Sequence, residues 1–130
     1  MIAFDTSALV KLVLAEAESD VLDDWVTARP GQPWVASDLC RVEVIRAVAR
    51  SSPGAVTGAR QLLAGLDLVP LSQTLLDRAA DLAPPSVRSL DAIHLATAST
   101  LGAALEAFVV YDHRLADAAR AAGLPTAAPA

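Results

Sequence analysis

The stretch AFVVYDHRLADAARAAG, residues 107–123, passes from one structural period to another, and that passage decides the fold. Its first part is a short continuous apolar run ending on an acid, the pattern of a strand buried on both faces of a parallel sheet. HRLADAARAAG is then helical, and LPTAA (124–128) offers a further short strand. Asp112 stands at the junction, where a carboxylate can cap the helix or face a ligand.

The same alternation continues towards the N-terminus. SLDAIHLATA reads as a helix from about Leu90 to Leu101, with Gly102 beyond its end. Pro84-Pro85 separate it from the helical run SQTLLDRAADLA (72–83), for which Ser72 is the expected cap. DLVPL (67–71) reads as a short strand after a helix over 55–65, and SSPG (51–54) is a break. PWVAS (33–37) reads as a strand, followed by a helix through LCRVEVIRAVAR (39–50) capped by Ser37 or Asp38. SDVLDDWVTA (19–28) is amphipathic and stops before Arg29-Pro30-Gly31. At the start, IAFD (2–5) is a second short apolar run ending on an acid. TSALVKLVLAEAESD continues it with helical periodicity, capped by Thr6 or Ser7.

Short strands alternating with helices imply βαβ units. The expected fold is α/β: a three-layer α/β/α sandwich around a mostly parallel central sheet of about four to five strands. Nothing repeats and no linker divides the chain, so residues 1–130 read as a single domain. Ligands in such folds bind beyond the carboxyl ends of the strands. Asp5 and Asp112, each ending a strand, should therefore share one edge of the sheet.

Composition narrows the chemistry. More than half of the 130 residues are apolar, yet no run approaches the length needed to span a bilayer, and the N-terminus lacks a basic segment, so a cytoplasmic protein is expected. One cysteine, Cys40, excludes an intrachain disulfide, and with two histidines it leaves a structural zinc site short of ligands. A metal here would have to be a hard cation held by carboxylates. The net charge of −5 looks wrong for a nucleic-acid binder, an objection that weakens if several acids are gathered around cations. Nine of the ten basic residues are arginine, Lys11 being the exception, which suits contact with phosphate.

Taken singly, each acid has a structural explanation. Asp5 and Asp112 could cap helices, although Thr6 and Ser7 can serve as caps without Asp5. Asp91 lies in the first turn of its helix, where the dipole favours a carboxylate. Glu43 lies among Val42, Val44 and Ile45 and could pair with Arg46 on a solvated face. Those explanations leave unexplained why two strand ends and two helices should bring four acids to one edge. Crowded carboxylates raise one another's pKa values, and divalent cations remove that penalty. Oxygen-only ligands suit Mg²⁺ or Mn²⁺, and a pair of such ions can activate water and stabilise a leaving oxygen at a phosphodiester.

FDTSALVKL at the start, LCRVEVIRAV around Glu43, SLDAIHLATA, and FVVYDHRLADAARAAGL near the end resemble, in order and spacing, a PIN domain of the VapC-type toxin ribonucleases. The resemblance covers nearly the whole chain. It implies an acidic quartet at Asp5, Glu43, Asp91 and Asp112 holding one or two Mg²⁺ or Mn²⁺ ions, with Ser7 at a supporting hydroxyl position. It also implies cleavage of RNA by metal-activated water to give a 5′-phosphate and a 3′-hydroxyl, a homodimer, and a small VapB-like antitoxin whose tail occupies the acidic groove. The sequence departs from the family at Val110, where Thr or Ser is usual. A hydroxyl there would help hold the site, so its loss bears on activity rather than on fold.

His94, one turn after Asp91, is read as a supporting neighbour, because hard cations give imidazole no natural place. Arg46, Arg88 and Arg114 are candidates for contact with RNA or antitoxin, with Arg50 continuing the face of Arg46 and His113 a surface neighbour of Asp112. Trp25 and Trp34 are too few for a base-stacking platform. Rival readings are a degenerate PIN domain acting as a binding or regulatory module, and a PIN nuclease with another nucleic-acid substrate. A phosphoaspartate phosphatase wants a second Asp where Ser7 stands, and a receiver domain wants an acidic pair and a lysine placed otherwise than Lys11.

Overall fold

The computed structural model describes residues 1–130. Five strands form one sheet: β1 (Ile2–Phe4), β2 (Trp34–Ser37), β3 (Asp67–Val69), β4 (Ala107–Val109) and β5 (Thr126–Ala127), in the order β3-β2-β1-β4-β5. Every neighbouring pair is parallel. The chain builds outward from β1 through β2 to β3, then returns to the other side of β1 for β4 and β5. The switch therefore lies between β1 and β4, where Phe4 is in register with Val109. In a parallel sheet this point opens a crevice beyond the carboxyl ends.

Strict alternation of side chains across the strands divides the core into two layers. Ile2, Phe4, Ala36 and Val109 face α1 (Thr6–Val13), α2 (Ser19–Thr27), α3 (Cys40–Ser51) and α4 (Val56–Ala64), which contribute Leu9, Leu22, Val44, Val48 and Leu63. Ala3, Phe108 and Val110 face the opposite way, against Leu95 of α6 (Ser89–Ser99) and Leu115 of α7 (His113–Ala121). α5 (Gln73–Ala80) packs beside α6, with Leu75 and Ala79 against Ala92 and Ala96. The three-layer sandwich expected from the sequence is present, with the sheet wholly parallel.

Several local expectations are corrected. The first helix does not run through LAEAESD but ends at Val13, where Leu14 becomes extended. Ala15, Glu16 and Ala17 are exposed, so a longer helix would bury nothing. Ser19 instead closes the turn, donating to the Leu14 carbonyl at 2.9 Å and accepting from the Glu16 N–H at 2.9 Å. Its cap is neither Thr6 nor Ser7 but Asp5, whose Oδ1 accepts the Ala8 N–H at 3.1 Å. α3 starts at Cys40 with no side-chain cap, because Ser37 takes the Leu39 N–H at 3.2 Å in the preceding turn. β3 stops before Pro70, which has no N–H for the ladder. Ser72 caps α5 as expected, accepting from the Leu75 N–H at 3.1 Å. No helix is long and apolar enough to cross a membrane.

Leu9 is fully buried between β1 and the α1–α4 layer. Leu9→Ala should cost about 2–5 kcal/mol in urea unfolding, from lost transfer and a residual cavity. Ser72→Ala, which removes one cap bond at the surface, should cost about 1 kcal/mol in the same assay.

Candidate active site

The parallel order places two acids just past neighbouring strand ends. Asp5 follows β1 directly and is 5% exposed, whereas Asp112 lies beyond β4 and caps α7 through a 2.8 Å bond from the Leu115 N–H to its Oδ1. α3 contributes Glu43 and the first turn of α6 contributes Asp91. All four line one groove of about 510 Å³ at the carboxyl edge, together with Ser7 and His94. Arg88 and Arg114 line an adjoining cleft of about 200 Å³ that shares Asp91 and Asp112 with the groove. Arg46 is exposed on α3 and lines neither. Val110 is buried on the α7 side of the sheet, against the core rather than in the groove, so its side chain is a packing group.

Hydrogen bonds fix three of the acids. The Ser7 hydroxyl lies 2.8 and 2.9 Å from the two Asp5 oxygens, and the Ala8 N–H adds a third bond. Glu43 Oε1 accepts from the Thr6 hydroxyl at 2.6 Å and lies 2.6 Å from His94 Nε2. His94 is 4% exposed and its Nδ1 has no partner. A carboxylate can only accept, so Nε2 carries a proton and donates to Glu43.

The electrostatics follow from this burial. Desolvation pushes the Asp5 carboxyl up to about 6, against the hydrogen bonds from Ser7 and Ala8 and the nearby His94, with Asp91 adding repulsion. Asp91 is raised first by burial and then by Asp112. For Glu43, burial pulls upward, but the bonds from His94 and Thr6 outweigh it and hold the carboxyl below its ordinary value. Cys40, buried beneath Thr6, is pushed up to about 12, chiefly by desolvation, and is inert as a thiolate.

This donor set fits a hard divalent cation. It consists of carboxylate oxygens, one of them deeply buried, whose mutual repulsion a cation would relieve. As the side chains stand, no group of three or more His, Cys, Asp or Glu is arranged to enclose a metal ion. The acids share a groove without forming a closed cage, and each bond to a protein donor holds its carboxylate in place.

Thr6, Lys11 and Tyr111 are among the groove residues that escaped the sequence reading. Thr6 looked like a cap, and its partner Glu43 is too distant in sequence for any local signal to join them. Lys11 lies at the rim, but bonds at 2.8 Å to Glu18 and 3.5 Å to Glu16 occupy its charge, and it sits 4.8 Å over the ring of Tyr111. Tyr111 is the third, its hydroxyl donating to the Pro129 carbonyl at 2.8 Å.

Known proteins share both the sequence and the shape. The PIN domain family matches residues 2–121. Ribonuclease VapC47 of Mycobacterium tuberculosis is 48% identical over 99% of this chain and 97% of its own length. Ribonuclease VapC46 of the same species is 44% identical over 98% and 97%. Among solved structures, M. tuberculosis VapC20, described as a Sarcin-Ricin loop cleaving toxin, superposes with a TM-score of 0.79 at 17% identity, covering 99% of this chain and 100% of that one. A toxin-antitoxin complex from Klebsiella pneumoniae gives 0.73 at 22% identity, covering 100% and 98%. At these identities the solved structures speak for the fold. The match along nearly the whole sequence, on a sheet that carries an acid at each side of its switch point, places this chain in the PIN-domain family, among the VapC-type proteins.

Proposed function

We propose that this chain is a metal-dependent endoribonuclease acting as the toxin of a toxin–antitoxin pair. The observation that carries the reading is the convergence of Asp5, Glu43, Asp91 and Asp112 on one groove at the sheet's switch point. The curated relatives are named ribonucleases, which supports RNA as substrate over another nucleic acid. The four acids would hold one or two Mg²⁺ or Mn²⁺ ions. Bound there, such an ion makes water a nucleophile at neutral pH and offsets charge on the phosphodiester.

The chain's own groups supply position and shielding. Ser7 and the Ala8 N–H orient Asp5, and burial under β1 and α1 keeps bulk water from one side of its carboxylate. RNA is a polyanion approaching a chain of net charge −5, so it needs local cations to approach the acids. Arg88 and Arg114 supply them: both line the cleft beside Asp91 and Asp112, and neither is engaged in an ion pair. They would bind phosphates flanking the one that is cut, and the products would carry a 5′-phosphate and a 3′-hydroxyl. The reading includes a cytoplasmic homodimer and a small VapB-like antitoxin. A structural neighbour described as a toxin-antitoxin complex supports the antitoxin partner.

Purified protein should cleave RNA with Mg²⁺ or Mn²⁺ and stop when EDTA is added. Asp5→Asn and Asp112→Asn should each lower the rate by about 100-fold or more, since the metal and the developing charge lose a ligand. Full cleavage by either variant would overturn the mechanism. Mn²⁺ should raise the melting temperature of the wild type, as binding to the folded state alone requires, and should do so far less for Asp5→Asn. In the Asp5→Asn background, Arg88→Ala and Arg114→Ala should weaken RNA binding. Each should also flatten the slope of log affinity against log salt by about 0.7, the share of one phosphate contact on a single strand.

A further inference from the structure

We propose that Thr6 and His94 form a two-donor clamp that fixes one oxygen of Glu43 and presents the other to the groove. Both would then be positioning residues for a cation-binding acid, an inference that rests on the cation reading above. Glu43 is a long side chain near the start of α3, and its side chain is 24% exposed, so nothing in its own helix decides where its carboxylate points. Two bonds from other elements decide it. The Thr6 hydroxyl donates from the first residue of α1, and His94 Nε2 donates from α6, each at 2.6 Å.

Three features make this more than an incidental contact. Both bonds end on Oε1, while Oε2 takes no hydrogen bond from the protein. The two donors also lie against each other, with Thr6 Oγ1 3.3 Å from His94 Nε2. Finally, His94 is buried and its Nδ1 has no partner, which leaves Nε2 as its only hydrogen-bonding group. The ring is committed to Glu43 rather than to a network of its own. Asp112 shows a related division: its Oδ1 takes the Leu115 N–H and its Oδ2 is left unbonded. Asp91, by contrast, receives no hydrogen bond from another side chain.

A purely packing role for His94 and Thr6 makes different predictions from a donor role, and cation affinity separates them. Thr6→Val keeps the shape and removes the donor, while Thr6→Ser keeps the donor. Likewise His94→Leu removes the donor, and His94→Gln restores an N–H near the position of Nε2. With the full chain, Mn²⁺ affinity should be measured by titration calorimetry, alongside kcat and KM for RNA cleavage. Thr6→Val and His94→Leu should bind Mn²⁺ about 10-fold or more weakly, as loss of an orienting partner does elsewhere. Their kcat should fall while KM for RNA holds, and Thr6→Ser and His94→Gln should recover most of both losses. If His94→Leu does not fold, the Thr6 pair carries the test. Wild-type Mn²⁺ affinity in folded Thr6→Val would overturn the clamp, as would serine and glutamine variants no better than valine and leucine. Asp5→Asn serves as the separate control: wild-type Mn²⁺ binding there would remove the cation reading itself, and the clamp with it.

Discussion

Like charges cannot be crowded into a partly dry crevice without compensation, and much of this site is organised around that constraint. The sheet order puts the ends of β1 and β4 side by side, so the acids that follow them are neighbours whatever the helices do. Burial then raises both Asp5 and Asp91, with repulsion from Asp91 adding to the first and from Asp112 and Glu43 to the second. Hydrogen bonds from Ser7, Ala8, Thr6 and His94 answer part of this repulsion from within the chain. The fold therefore stores an electrostatic deficit at one edge, a common trade at sites shaped for ligands rather than for stability.

The apolar core carries the cost of that edge. Ile2 and Phe4 face one layer of helices and Ala3 the other, so three residues of β1 tie both halves of the core together immediately before Asp5. Phe108 and Val109 do the same on β4. Asp5 and Asp112 thus follow strands whose residues are all buried. That placement limits how far repulsion can push them apart, because a shift at either strand end would disturb packing on both faces of the sheet.

The fold was largely legible because its signals are local: short apolar runs, helical periods and turn residues in alternation. The acids at strand ends were legible for the same reason, since topology alone puts them on one edge. What escaped depends on pairs far apart in the chain. Nothing near Thr6 announces Glu43, and nothing near Glu43 announces His94. The helix caps were misread in an instructive way. Asp5 appeared dispensable as a cap beside Thr6 and Ser7, yet those hydroxyls are turned to Glu43 and to Asp5 itself, and the carboxylate takes the N–H. The end of α1 was missed because the helical period runs on past Val13, where a turn closed by Ser19 ends the helix.

Asp5 and Asp112 each do two jobs with one side chain, accepting a backbone N–H at the head of a helix and facing the groove. Alanine scanning would conflate these jobs. Removing either acid outright would uncap α1 or α7, and a silent variant could be read as catalytically dead when it is partly unfolded or scarce. A screen for surviving cells would enrich both kinds of lesion at the same codons and could not tell them apart. Asparagine keeps the acceptor and removes only the charge. It is therefore the substitution that lets a non-toxic form be produced, crystallised or paired with a partner while its helices remain anchored.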